Sequence, residues 1–310
     1  MMKIDNISYS FPKAFALKNI KFTLEKGQIL GLIGHSGSGK STLLKIMAGL
    51  LEPQNGAVFF EGEILPPPSK KLIPGHPKIK MVTQQSSLFP NISIAENICY
   101  EIRYYTKEYQ QKRLKYLAKK LNINHLLEKK VSELSGGEIQ RAMLAKSLAD
   151  EPSVLLLDEP FANLDSLNKK RIILELIKVL KSENISCVLV THEIRDAFGM
   201  VDKLIILKNG RQVQTGSSEQ IYFSPKNEYV AMLTGEAFLS SDKSYFFRPE
   251  DITLDPEGEN ECEVLNNVFL GASYEVFVEI EGKMVFFYHQ KPIETGQLIR
   301  VSFLKRSFNP

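Results

Sequence analysis

Residues Gly34-His35-Ser36-Gly37-Ser38-Gly39-Lys40-Ser41 fit the pattern G-x-x-x-x-G-K-[ST] without a gap. This pattern constrains the fold because it functions at one kind of junction, where a buried strand feeds a helix through a tight glycine-rich turn. Both neighbours are present. Residues 28–33 (QILGLI) predict the strand running into the turn, and residues 42–48 (TLLKIMA) predict the helix leaving it, stopped by Gly49. The glycines let successive N–H groups point inward, making an anion nest closed by a helix N-terminus. Gly34 to Thr42 are therefore read as a phosphate cradle. Lys40 is placed to reach the β- and γ-phosphates of a nucleotide, and the Ser41 hydroxyl to ligand Mg²⁺.

At 310 residues the chain has room for one large and one small domain. A formal charge of +3, with the basic residues in short clusters such as Lys119-Lys120 and Lys129-Lys130, gives no nucleic-acid footprint. No apolar run reaches the roughly eighteen residues that cross a bilayer. The N-terminus Met1-Met2-Lys3-Ile4 leads straight into strand-like sequence and has no signal-peptide core, so a cytoplasmic location is expected, with any membrane role played through a partner. Cys99, Cys187 and Cys262 are far apart and odd in number, forming neither a disulfide framework nor a metal cluster.

Beyond the loop the sequence predicts a hairpin flanked by Phe59 and Phe60 and turning at Gln54-Asn55-Gly56, then a proline-rich surface excursion. Residues from about 95 to 134 read as helical, with Leu114, Leu117, Ala118 and Leu121 on one apolar stripe that is most simply a packing face. Next come a helix after Gly137, the strand 154–157, a helix over 167–181 and the strand 187–190. Strands alternating with helices imply a mostly parallel, two-sided α/β sheet. An Asn209-Gly210 hairpin and a last helical piece over 218–233 follow. From residue 236 onward short strand-like runs at close spacing predict a small all-β domain of about seventy-five residues, with an OB-like barrel among the candidates.

Val154-Leu-Leu-Leu-Asp158-Glu159-Pro160 is an apolar strand ending in two carboxylates. In an open α/β sheet, strand C-termini line the ligand crevice, which puts Asp158 beside the phosphates as an Mg²⁺ holder and Glu159 in reach of an attacking water. Without the phosphate loop the pair would read equally well as a solvated turn. Leu134-Ser135-Gly136-Gly137-Glu138 opens another helix N-terminus able to face an anion, although Ser-Gly-Gly alone is most simply an ordinary helix cap.

The wider spelling decides that point. Leu134-Ser-Gly-Gly-Glu-Ile-Gln-Arg141, then Ala145-Lys-Ser-Leu-Ala-Asp-Glu-Pro152 and the Asp-Glu strand, closely resembles the signature region of ABC-type ATPases. Gln84 resembles that family's Q-loop glutamine, residues 160–165 ending at Asp165 its D-loop, and His192 its switch histidine. Phe11 aligns with the aromatic that stacks on adenine, with Tyr9 as the second choice. The tail, including Gly216-Ser-Ser-Glu-Gln-Ile-Tyr222 and Arg248-Pro-Glu-Asp-Ile252, resembles an importer branch that serves sugars, polyamines, iron(III) and oxyanions and carries a TOBE-type β domain. Glu138 stands where that branch commonly has glutamine, His35 where proline or alanine is frequent, and the β domain is short.

The resemblance implies a P-loop ATPase domain over residues 1–235, with a helical subdomain at about 85–135, and a TOBE-like domain over 236–310. It implies ATP and Mg²⁺ as ligands. Ser135, Gly136 and Gly137 of one copy would close the phosphate site of another, so a homodimer or pairing with a paralogue is expected. Glu159 would be the catalytic base, Gln84 and Asp158 would serve Mg²⁺ and water, and His192 would hold the transferring phosphate. Permease subunits would be direct partners and an extracytoplasmic solute-binding protein an indirect one, with no nucleic acid. The alternative is a soluble ABC-type ATPase acting on nucleic acid or ribosomes. Such proteins usually carry two ATPase domains, a long coiled coil or zinc-binding cysteines.

Overall fold

Continuous aliphatic runs decide the centre of the molecule. The structure, a computed structural model, describes residues 1–12, 14–83, 88–161, 164 and 166–309. Its chain divides into two compact units, residues 1–218 and 219–310. In the first unit the elements are β1 (Met2–Phe11), β2 (Ala14–Leu24), β3 (Ile29–Ile33), α1 (Lys40–Met47), β4 (Asn55–Phe60), β5 (Glu63–Ile64), β6 (Ile79–Val82), α2 (Ile94–Glu101), α3 (Lys107–Lys120) and α4 (Gly136–Leu148). They continue with β7 (Val154–Asp158), α5 (Ser166–Glu183), β8 (Ser186–Thr191), α6 (Ile194–Phe198), β9 (Lys203–Lys208) and β10 (Arg211–Gly216).

Six of these strands form one sheet in the order β10-β9-β3-β8-β7-β6, parallel throughout except for the β9–β10 hairpin. Strands buried on both faces are apolar along most of their length: β3 is so throughout, β7 up to Asp158, and β8 between Ser186 and Thr191. Alternate residues of β7 enter different cores: Leu155 and Leu157 pack with Leu117, Leu144, Ile172 and Leu176, whereas Val154 and Leu156 pack with Leu43, Leu44, Met47, Ile4 and Leu17. The predicted two-sided sheet is therefore the observed one. A second, antiparallel sheet, β2-β1-β4-β5, supplies part of the second core.

Three local expectations need correction. The β4–β5 hairpin turns at Glu61-Gly62, both in the left-handed region, while Asn55-Gly56 begins β4 with Asn55 opposite Ser8. Gly56 is glycine because a Cβ there would sit 2.3 Å from the Asp5 carbonyl oxygen. The helical stretch at 95–134 is two helices and two short 3₁₀ turns. Ser93 and Glu96 form a reciprocal cap at the start of α2, and Thr106 caps α3. Of the predicted stripe, Leu117, Ala118 and Leu121 are fully buried and Leu114 is partly so. The piece at 218–233 is also two helices, α7 (Ser218–Phe223) and α8 (Glu228–Thr234), because Pro225 interrupts the pattern and Asn227 caps the second.

The second unit continues with β11 (Phe238–Leu239), β12 (Tyr245–Phe247), β13 (Ile252–Leu254), β14 (Asn260–Phe269), β15 (Tyr274–Ile280), β16 (Lys283–His289), β17 (Leu298–Phe303) and β18 (Arg306–Ser307). One all-antiparallel sheet runs β13-β17-β14-β15-β16 and a smaller one β11-β12-β18. β14 pairs with β17 through residues 260–263 and with β15 from Val264 onward, with a register shift between Val264 and Asn266. Such a shift bends a strand and curls its sheet around a core, here Val264, Val276, Val278, Val285, Phe287 and Val301.

Within this unit Arg248 is fully buried, and burial pushes its pKa down. Its guanidinium donates to the carbonyl oxygens of Tyr222 (3.0 Å), Glu236 (3.0 Å) and Ala231 (3.3 Å) and to Thr234 Oγ1 (3.0 Å), and it lies 3.8 Å from the Tyr222 ring centre. Arg248→Met would remove this donor from all four acceptors, of which the Ala231 carbonyl keeps a hydrogen bond from Thr234 Oγ1 (3.0 Å), and is expected to destabilise this unit by roughly 1–3 kcal/mol. Chemical denaturation followed by circular dichroism checks this against exposed Arg300→Met, for which a change below about 0.5 kcal/mol is expected.

Candidate nucleotide site

The loop after β3 is built to the dimensions that a phosphate needs. Gly37 and Gly39 both lie in the left-handed region, at φ 78° and 99°. Gly39 also has no room for a side chain, since a Cβ would meet the Ala16 carbonyl oxygen at 2.4 Å, and one on Gly34 would meet the Leu207 carbonyl oxygen at 2.3 Å. The loop is braced from outside. The Gly210 N–H donates to the Ser38 carbonyl (3.1 Å), and the Gly210 carbonyl accepts from the Lys18 N–H (2.8 Å). The β9–β10 turn thus ties the loop to β2, a connection that the sequence did not reveal.

The Lys40 ammonium donates to the carbonyl oxygens of Gly34 (2.7 Å) and His35 (2.9 Å). Burial pushes its pKa down, while Glu159 and Asp158 pull it back up. The Ser41 hydroxyl donates to Asp158 Oδ1 at 3.0 Å, uniting two residues far apart in sequence. Burial raises the Asp158 pKa against the lowering effect of that hydrogen bond. Buried donors around a charge-lined loop, together with the Ser38 hydroxyl, which is buried without a hydrogen-bond partner among the described residues, suit a polyanion accompanied by a divalent cation. Ser41 and Asp158 offer two oxygens for such a cation, a hard-ligand set of the kind Mg²⁺ takes.

Glu159 follows at the C-terminal end of β7 with φ 49°, unusual for a residue other than glycine and a local strain of order 1–2 kcal/mol. Its N–H donates to the Val190 carbonyl (3.0 Å) on neighbouring β8. Its carboxylate lies 3.2 Å from His192 Nδ1, a residue that follows β8. Parallel neighbours thus deliver Asp158, Glu159 and His192 to the sheet edge where β3 delivers the loop. Sequence reading missed the adjoining pair: Glu193, held by Thr191 Oγ1 at its N–H (3.0 Å), accepts from Lys169 at 2.6 Å. A cavity of about 870 Å³ lies at the other end of the strands, lined by Pro152, Ser153 and Ile185, which precede β7 and β8, and it includes none of these groups.

Ser135, Gly136 and Gly137 open α4 beside a separate depression of about 240 Å³, also lined by Glu138, Arg141, Leu164, Asn168 and Ile172. No phosphate-loop residue lines it. Ser135 and Glu138 cap the helix reciprocally, and their hydrogen bonds lower the Glu138 pKa. Glu138 has thereby a structural use where the importer branch commonly has glutamine. Phe11 stands at the end of β1, 47% exposed and edge-on to Tyr9 at 5.1 Å between ring centres. Ser36 and His35 are exposed, and Thr42 is half-buried on α1. Gln84 and Asp165 lie outside the described residues.

The family profile described as ABC transporter matches residues 17–162. The molybdate/tungstate import ATP-binding protein of Methanocaldococcus jannaschii is 34% identical, and the match covers 99% of each chain. The glucose import ATP-binding protein of Saccharolobus solfataricus is 31% identical over 96% of this chain and 95% of its own. Among solved structures, a dimeric ATP-binding cassette in a post-hydrolysis state bound to ADP and Pi superposes with TM-score 0.61 at 28% identity, covering 70% of this chain and 98% of that one.

The brace makes a prediction of its own. Gly210 has φ 71°, and a Cβ there would approach the Ala16 carbonyl oxygen to 2.5 Å. Gly210→Ala is expected to weaken nucleotide binding by about tenfold or more through the loop alone, the strain being of order 1–2 kcal/mol. Titration with a fluorescent ATP analogue reads the loss. An unchanged Kd would show that the turn does not hold the loop.

Proposed function

The chain belongs to the ABC transporter family, and from that premise we propose that it is the ATP-hydrolysing subunit that energises a membrane importer of a small solute. The convergence of the Ser41–Asp158 and His192–Glu159 pairs beside one phosphate loop carries this reading. Hydrolysis is in-line attack of water on the γ-phosphate, in which positioning and charge stabilisation do most of the catalysis. The loop N–H groups of 34–39, with Lys40, Ser41 and Thr42, hold the phosphates. Glu159 accepts the proton of the attacking water, with its carboxylate steered by His192 and its backbone pinned to Val190. His192 also contacts the transferring phosphate. Ser41, Asp158 and Gln84 would hold Mg²⁺, which would supply neutralising charge at the phosphates. Phe11 stacks on the adenine, a contact worth about 1–3 kcal/mol in comparable base–aromatic sites.

A phosphate loop and a signature that line different surfaces suit a sandwich of two chains, in which Ser135, Gly136 and Gly137 of one copy, with Asp165 nearby, close over the nucleotide of the other. The partner in that sandwich is a second copy or a paralogue. Among the described residues no helix is long and apolar enough to cross a membrane, so the transport path belongs to permease subunits. Exposed Phe89, Tyr100, Tyr104 and Tyr105 give those subunits a docking face, at the cytoplasmic side of the membrane. One relative is named for molybdate/tungstate and another for glucose, although both match nearly the whole chain. Cargo choice therefore lies with the permease and an extracytoplasmic binding protein, and oxyanions, sugars, polyamines and iron(III) all fit this subunit.

Glu159→Gln is expected to slow steady-state phosphate release about 10²–10⁴-fold, the scale for a positioned base, while ATP still drives dimerisation in size-exclusion chromatography. Wild-type turnover in that variant would remove Glu159 from the role. Purification of the tagged variant with ATP from solubilised source membranes is expected to bring down a polytopic permease. Recovery of soluble partners alone would overturn the importer assignment and leave the ATPase intact.

A further inference from the structure

We propose that Lys146 is a positioning residue that ties the exposed aromatic face at Phe89 and Tyr100 to the helix opening with Ser135-Gly136-Gly137. The proposal rests on the function above, because it gives that docking face a route to the nucleotide sandwich. Lys146 lies on α4 and is 6% exposed. Its ammonium stands 4.0 Å from the centre of the Phe89 ring and 5.9 Å from that of Tyr100. The two rings meet edge to face at 4.9 Å and are 41% and 42% exposed, so they roof the buried cation on the solvent side.

Each end of this contact is rigidly held. Phe89 is clamped through its backbone by the fully buried Asn97, whose Oδ1 accepts from the Phe89 N–H at 2.7 Å and whose Nδ2 donates to the Phe89 carbonyl at 3.0 Å. The ring therefore moves with α2. Glu101, on that same helix, is 4.0 Å from the Lys146 ammonium and is shared with Lys80 at 3.3 Å, which in turn faces Asp150 at 3.7 Å. Burial lowers the Lys146 pKa and Glu101 opposes that shift in part, while the ring face of Phe89 attracts the ammonium. At the other end, Lys146 and Ser135 lie on one helix, so a displacement of the aromatic face reaches Ser135 as motion of a rigid element. A partner docked on the rings would also exclude water from the cation and strengthen the contact.

The chain contains no tryptophan, so Phe89→Trp creates a single reporter above Lys146. In a Glu159→Gln background, Mg²⁺-ATP is expected to shift the emission of this tryptophan. Lys146→Met should abolish the shift while radiolabelled ATP still binds, and Lys146→Arg should restore it. With Glu159 intact, Lys146→Met should lower kcat by about tenfold, a misplacement effect, with KM for ATP within about twofold, and Lys146→Arg should recover kcat. A full shift in the methionine variant, or no recovery with arginine when circular dichroism shows both variants folded, would overturn the proposal. So would a parent protein that binds ATP without any emission change. A parent that fails to bind ATP would refute the nucleotide site itself, and the proposal with it.

Discussion

A phosphate cradle made of backbone requires that the chain curl more tightly than side chains allow, and much of the first unit follows from that requirement. Gly34 and Gly39 leave no space for a Cβ because the loop is pressed against β2 and β9, and the Gly210 turn locks it from outside. The fixed loop then sets the position of Lys40, whose ammonium crosses to the Gly34 and His35 carbonyls. A parallel sheet, apolar on both faces, delivers the carboxylates of β7 and the histidine after β8 to the same edge. Charge collected there is partly desolvated, which shows in the lowered Lys40 pKa and the raised Asp158 pKa. A polyanion and a divalent cation relieve both costs together.

The helical part of the unit is joined to this edge by polar contacts in otherwise apolar surroundings. Arg141 on α4 pairs with Glu175 on α5 and donates to the Leu121 carbonyl (2.8 Å). Arg113 on α3 meets both oxygens of Glu183 on α5, at 2.8 and 2.7 Å. Pairs of this kind fix orientation more than they add stability, because desolvation offsets most of the attraction. They tie α3 and α4 to α5.

What was legible in the sequence was local. The strand–loop–helix unit could be read because its apolar runs and glycines are contiguous, and the carboxylates of β7 because a strand end is itself a local signal. Asn55-Gly56 misled because turn propensity says nothing of a distant Asp5 carbonyl that demands glycine in a strand. Within the helical stretch at 95–134, Ser93-x-x-Glu96 and Thr106 mark two separate starts. The Gly210 brace and the Lys146 roof could not be read, since each joins segments separated by many residues and leaves no pattern in either. The pairing of Glu159 with His192 needed the knowledge that β7 and β8 are neighbours.

The central claim is that the phosphate loop and the Ser135-Gly136-Gly137 helix act across two chains. Mixed dimers test it most directly. Lys40→Ala spoils the loop and Gly137→Asp the signature, so neither homodimer, carried in a Glu159→Gln background, should retain ATP through gel filtration. A dimer of one variant with the other has one intact composite site and is predicted to retain one ATP per dimer. Retention no greater than that of the two parents would contradict the account, because it would place the loop and the signature in service of the same chain.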